Sequence, residues 1–146
     1  MTRRVLIVTH GGRPEALAVL DESVRELEAA GFAVSLHDDD LAEQFGEAGN
    51  GIERVRDRER VDESEVVLVI GGDGTILRAA ELTHGTRIPL LGVNLGHVGF
   101  LAESEREDLR QTVRRLADGD YTVEERRTLD VVVHLPGSPN RCEGGR

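Results

Sequence analysis

Four short apolar runs rich in β-branched residues punctuate the chain, at Arg4–Thr9, Phe32–His37, Glu65–Ile70 and Pro89–Val93. Runs of that length suit strands, and the unbroken ones suit parallel strands buried on both faces. Val66-Val67-Leu68-Val69-Ile70 is the most hydrophobic run and is expected at the centre of a sheet. Between the first two runs, Leu17, Leu20, Val24 and Leu27 recur at three- and four-residue steps. That stripe predicts a helix opened by Pro14 and closed by Gly31 in a left-handed cap. Ile76–Leu82 predicts a second, short helix. Ser104 and Glu107 have capping-box spacing ahead of a third stripe, Leu109, Val113 and Leu116, which Gly119 ends.

The remaining segments are polar or change style. Asp38-Asp39-Asp40 ahead of Leu41–Phe45 predicts a capped helical turn, and Gly46–Gly51 a loop. The dense alternating charges of Glu53–Glu59 suit a solvated face. Tyr121–Glu125 and Leu129–Leu135 alternate like an antiparallel pair, whereas Gly137–Arg146 has no core-forming pattern. The order β-α-β, then β-α-β-α-β-β, predicts an α/β lobe with a parallel sheet over 1–120. Residues 121–146 then begin a β-rich second domain.

Composition narrows the chemistry. With 28 acidic and 18 basic residues among 146, the net charge is −10, which argues against a nucleic-acid partner. All the basic residues are Arg, so a Walker-A lysine, a Schiff base and a lysine nucleophile are excluded for this chain. A lone cysteine, Cys142, cannot form an internal disulfide, and a reducing, cytoplasmic setting is expected. No apolar run approaches the roughly 20 residues that span a bilayer, so no membrane association is expected. Five scattered His and one Cys make no zinc site.

The chemistry concentrates at Gly71-Gly72-Asp73-Gly74-Thr75, where the most buried strand ends. Glycines there permit left-handed backbone angles and bare N–H groups, so phosphate oxygens can come close. Thr75 can cap the following helix or donate its hydroxyl to a phosphate. Asp73 would repel a phosphate unless it has another task. Accepting a proton from an attacking hydroxyl, holding Mg²⁺, and merely capping the helix all fit. A second glycine-punctuated turn, Asn94-Leu95-Gly96-His97-Val98-Gly99-Phe100-Leu101, follows the next strand. Asn94 can bond a phosphate, a ribose or the neighbouring loop. Phe100 suits ordinary core, and could also stack on a base. Arg78, one turn beyond Gly74, either reaches back to an anion or pairs with Glu81 or Glu103.

Together, Gly71-Gly72-Asp73-Gly74-Thr75 and Asn94-x-Gly96-x-x-Gly99-Phe100-Leu101 resemble the NAD kinase family. The first motif alone is shared with lipid kinases of the diacylglycerol type, and a non-catalytic nucleotide-binding module is a further alternative. The resemblance implies a Rossmann-like, phosphofructokinase-like lobe. Its activity would be transfer of phosphate from ATP, or from polyphosphate, to the 2′-hydroxyl of the adenosine ribose of NAD. It implies Mg²⁺ or another divalent cation with the ATP, and a homo-oligomeric full-length enzyme. Asp73 matches the family's general base. Gly72, Gly74, Thr75, Arg78, Asn94 and Gly96 match its nucleotide-contacting positions, and Phe100 a residue near the adenine. The second domain of that family carries an Asn-Glu or Asn-Asp pair that this chain lacks after Leu135. The chain is therefore expected to be an N-terminal fragment with little activity alone.

Overall fold

The computed structural model describes residues 2–10, 14–37, 52–56, 58–95, 101, 104–105 and 108–134. The turn expected at 38–45 and the loop expected at 46–51 lie outside them. The described strands form one six-stranded parallel sheet: β1 (Arg4–Thr9), β2 (Ala33–His37), β3 (Glu53–Val55), β4 (Val66–Ile70), β5 (Leu90–Asn94) and β6 (Ser104–Glu105). Their spatial order is β3-β2-β1-β4-β5-β6. The chain thus winds outward from β1 in one direction and then, from β4, in the other.

Strand alternation sorts the core into two layers. Val5, Ile7, Val66, Leu68 and Ile70 pack with helix α1 (Pro14–Ala29) and helix α4 (Leu109–Asp118). Leu6, Val8, Val67 and Val69 pack on the other face with Val61 of α2 (Arg58–Val61) and Ala79 of α3 (Asp73–Leu82). Both faces of β1 and β4 are therefore covered, which explains why their sequences are unbroken apolar runs. Pro14 is the first residue of α1, and Gly31 (φ 88°) and Gly119 (φ 69°) take the left-handed conformation at the two expected helix ends.

Several expectations are corrected. The charged stretch at 53–59 is only partly a solvated face. It holds β3, whose Val55 is buried, and Glu53 pairs with Arg4 and Arg60 across the sheet edge. Ser104 does not open α4: it lies in β6, beside Val93, and the residue preceding α4 is Asp108, which makes no side-chain cap bond. Residues 121–134 form no strand pair. They are exposed, Leu129 at 89% and Val131 at 79%.

Candidate functional site

In an open parallel sheet the winding direction reverses between two neighbouring strands, and a crevice opens beyond their carboxyl ends. Here those strands are β1 and β4, in register from Val5 and Val66 to Thr9 and Ile70. The Thr9 hydroxyl donates to the Ile70 carbonyl at 2.9 Å and closes the top of that pairing. The Gly71–Thr75 turn begins one residue later, so the topology delivers the predicted motif to the switch point.

The turn is tighter than its sequence suggests. Helix α3 begins at Asp73 rather than Ile76, with Gly72 as its N-cap (φ −102°, ψ −169°). The Gly72 carbonyl accepts from the N–H groups of Thr75 and Ile76, each at 3.1 Å. Thr75 is therefore inside the first turn and is not the cap. None of Gly71, Gly72 and Gly74 has a positive φ, so left-handed geometry is not what the turn requires of them. Space is. A Cβ on Gly71 would lie 2.5 Å from Thr75 Oγ1 and 2.9 Å from Thr75 Cβ, whereas Gly72 and Gly74 face open space. Gly71 lets α3 sit close over the strand end, and Gly72 and Gly74 leave backbone uncovered at a helix N-terminus, where an anion is favoured.

Asp73 occupies the first helical position, half-buried, and its Oδ1 accepts the backbone N–H of Leu101 at 3.1 Å. That bond joins the two motifs at the acid itself. A backbone donor of this kind orients the carboxylate. Side-chain reasoning cannot find this contact, since Leu101 contributes a main-chain N–H. From the other side, the Gly71 N–H donates to the Val93 carbonyl at 3.2 Å, tying the turn to β5. Asn94 ends β5 buried, at 8% exposure, level with Glu105 of β6. Gly72, Asp73, Gly74 and Thr75 thus share one helix start, with Asn94 at the end of the neighbouring strand. Arg78 is exposed one turn beyond Gly74. Gly96 and Phe100 lie outside the described residues. Among the described residues no three His, Cys, Asp or Glu side chains cluster as a metal site.

A doubly wound parallel sheet with a glycine-flanked acid at its switch point is the architecture of the α/β proteins that bind ligands beyond their strand ends. Residues 5–121 match the family model of the ATP-NAD kinase N-terminal domain, and the chain belongs to the NAD kinase family. It is 43% identical over 141 residues to an NAD kinase of Bifidobacterium longum subsp. infantis, covering 97% of this chain and 39% of that protein. To the NAD kinase of Corynebacterium diphtheriae it is 45% identical over 135 residues, covering 90% and 43%. To that of Leifsonia xyli subsp. xyli it is 48% identical over 135 residues, covering 91% and 44%. The chain thus spans about two fifths of the length of these relatives. Among solved structures it is similar to yeast NADH kinase complexed with NADH, with a TM-score of 0.67 and 19% identity over 80% of this chain and 36% of that one. At that identity the likeness speaks to the fold.

Proposed function

We propose that the full-length protein is an NAD kinase, which phosphorylates the 2′-hydroxyl of the adenosine ribose of NAD to give NADP. The observation that carries this reading is Asp73, held at the start of α3 by the Leu101 N–H where the two family motifs meet. The family membership and the NAD kinase relatives support it, as does the likeness to a kinase complexed with NADH. A ribose hydroxyl is a weak nucleophile. Asp73 takes its proton while the oxygen forms a bond to the terminal phosphorus of ATP, and the bond to the ADP oxygen breaks with ADP keeping the electron pair. Uncovered backbone at Gly72 and Gly74 and the α3 N-terminus receive phosphate charge. Mg²⁺ arrives with ATP as part of the substrate, which suits a site where no carboxylate cage occurs among the described residues. Polyphosphate is an alternative donor. Arg78, Asn94, Gly96 and Phe100 contact the dinucleotide in this reading, and the second domain, beginning at 121, completes the site. The enzyme is then a cytoplasmic homo-oligomer, and residues 1–146 alone have little activity.

Asp73→Asn in the full-length gene product tests this. Asn keeps a carbonyl oxygen for the Leu101 N–H but cannot take the proton, so kcat should fall by about 10²–10⁴-fold. A variant that forms NADP within a few-fold of the parent rate would show that Asp73 is not the base.

A further inference from the structure

Arg3 precedes β1, at the end of the sheet opposite Asp73, and no motif includes it. Its guanidinium makes a fork to Glu65, with Nε to Oε2 at 2.8 Å and Nη2 to Oε1 at 2.6 Å. The same group donates to the carbonyl of Ala117 at 2.6 Å and to that of Leu116 at 2.9 Å. It also lies 4.5 Å from the centre of the Phe32 ring. Glu65 stands just before β4 and Phe32 just before β2, so one side chain binds three strand starts to the last turn of α4. The two carbonyls are at a helix C-terminus, where a cation is favoured. Leu116 also accepts the Gly119 N–H at 3.2 Å, so Arg3 bonds to the left-handed cap that turns the chain out of α4.

We propose that Arg3 is a positioning residue: it fixes the direction in which the chain leaves the lobe. The turn that caps α4 ends at Asp120, and the described residues that follow it are exposed. The matched region is about two fifths of the length of these relatives. In the NAD kinase reading, where a second domain completes the site, the chain returns from the Arg3 end to the Asp73 end of the sheet, a height of about 20 Å for strands of this length. A tilt of about 5° at the α4 cap moves a rigid attachment by roughly 2 Å over that height, enough to misplace groups that contact the dinucleotide. Arg3 makes four donations, two of them as a fork on Glu65, and the three donors of Lys cannot reproduce that set.

The test uses Arg3→Ala and Arg3→Lys, with amide hydrogen exchange measured on the 146-residue chain. Exchange of the Gly119 and Asp120 amides should quicken about tenfold relative to the β4 amides of Val67 and Val69, in both variants. A uniform change across the lobe, or none, would overturn the proposal, since Arg3 would then act on global stability or not at all. The second arm uses the full-length gene product and rests on the NAD kinase reading. There the KM for NAD should rise about tenfold, with the KM for ATP less affected. Loosened amides with both constants within twofold of the parent would also overturn it. A parent that forms no NADP would sink the functional reading and leave the exchange arm to decide this one.

Discussion

Gly71→Ala tests whether close packing of α3 on the strand end is what the first glycine provides. The added methyl would sit 2.5 Å from Thr75 Oγ1, 2.9 Å from Thr75 Cβ and 3.3 Å from Thr75 Cγ2. Rotating the Thr75 side chain can relieve the first and last contacts. It cannot relieve the second, because that Cβ is fixed to the helix backbone, so α3 itself must move. Overpacking of this kind costs about 1–3 kcal/mol, and the stiffer unfolded chain returns about 0.4–1 kcal/mol. The net loss should be about 1–2 kcal/mol, a fall in Tm of roughly 3–6 °C for a chain of this size. Gly74→Ala is the control. Beyond its own helix turn, no atom of the described residues lies within 4 Å of its added methyl, and α3 already includes the residue, so this variant should gain up to about 1 kcal/mol. Adding Thr75→Ala to Gly71→Ala removes Oγ1 and Cγ2 but leaves Cβ, so rescue should be partial. Urea and thermal unfolding of the four chains provide the comparison. Equal stability of Gly71→Ala and Gly74→Ala would refute the steric account.

Two further expectations concern stability and association. The bonds from Arg3 hold the Glu65 carboxyl below the ordinary carboxylate range, outweighing the opposite effect of partial burial. The stability this contributes is therefore fully present above the unfolded value, near pH 4.3, and is lost as pH falls through the lower folded value. Urea midpoints measured from pH 7 to pH 3 should fall less steeply at the acid end in Glu65→Gln than in the parent, and equal slopes would count against the pairing. Deleting residues 124–146 should change unfolding stability by less than about 0.5 kcal/mol, since Leu129, Val131, Val132 and Val133 bury little. Light scattering should show less self-association once these exposed side chains are gone, and a large loss of stability would mean that the segment packs on the lobe.

The centre of the sheet was legible because β1 and β4 are buried on both faces. An unbroken apolar run leaves few alternatives, and Arg4–Thr9 is a strand with the expected bounds. Periodicity also found the faces of α1 and α4. It missed the first turn of α3 because Asp73, Gly74 and Thr75 carry no apolar stripe, although backbone bonding continues through them. Alternation at 121–134 reports side chains suited to a half-buried face, but a strand needs a neighbour, and the lobe offers none. Of the site, the acid and its glycines were readable and their physical roles less so. Bareness at Gly71 serves Thr75, and the donor that orients Asp73 is a backbone N–H. Arg3 left no local trace because its partners lie 62 to 114 positions away.

The geometry divides the lobe's work between the two ends of one sheet. At the carboxyl end, Asp73 is constrained from separate directions: α3 seated over Gly71, the strand ends tied through Gly71 and Val93, and the returning Leu101 N–H. At the amino end, Arg3 gathers the starts of the strands and the end of α4, where the chain departs. The rigid element between them is the pair β1 and β4, apolar on both faces and shared by both core layers. On the NAD kinase reading, perturbing the acid should change the rate of phosphoryl transfer and leave the α4 cap intact. Loosening Arg3 should free the cap and weaken dinucleotide binding while Asp73 keeps its bond to Leu101. If each lesion instead produced both effects, the sheet would not be insulating its two ends. The sealed pairing of β1 with β4, closed by Thr9 on Ile70, argues that it does.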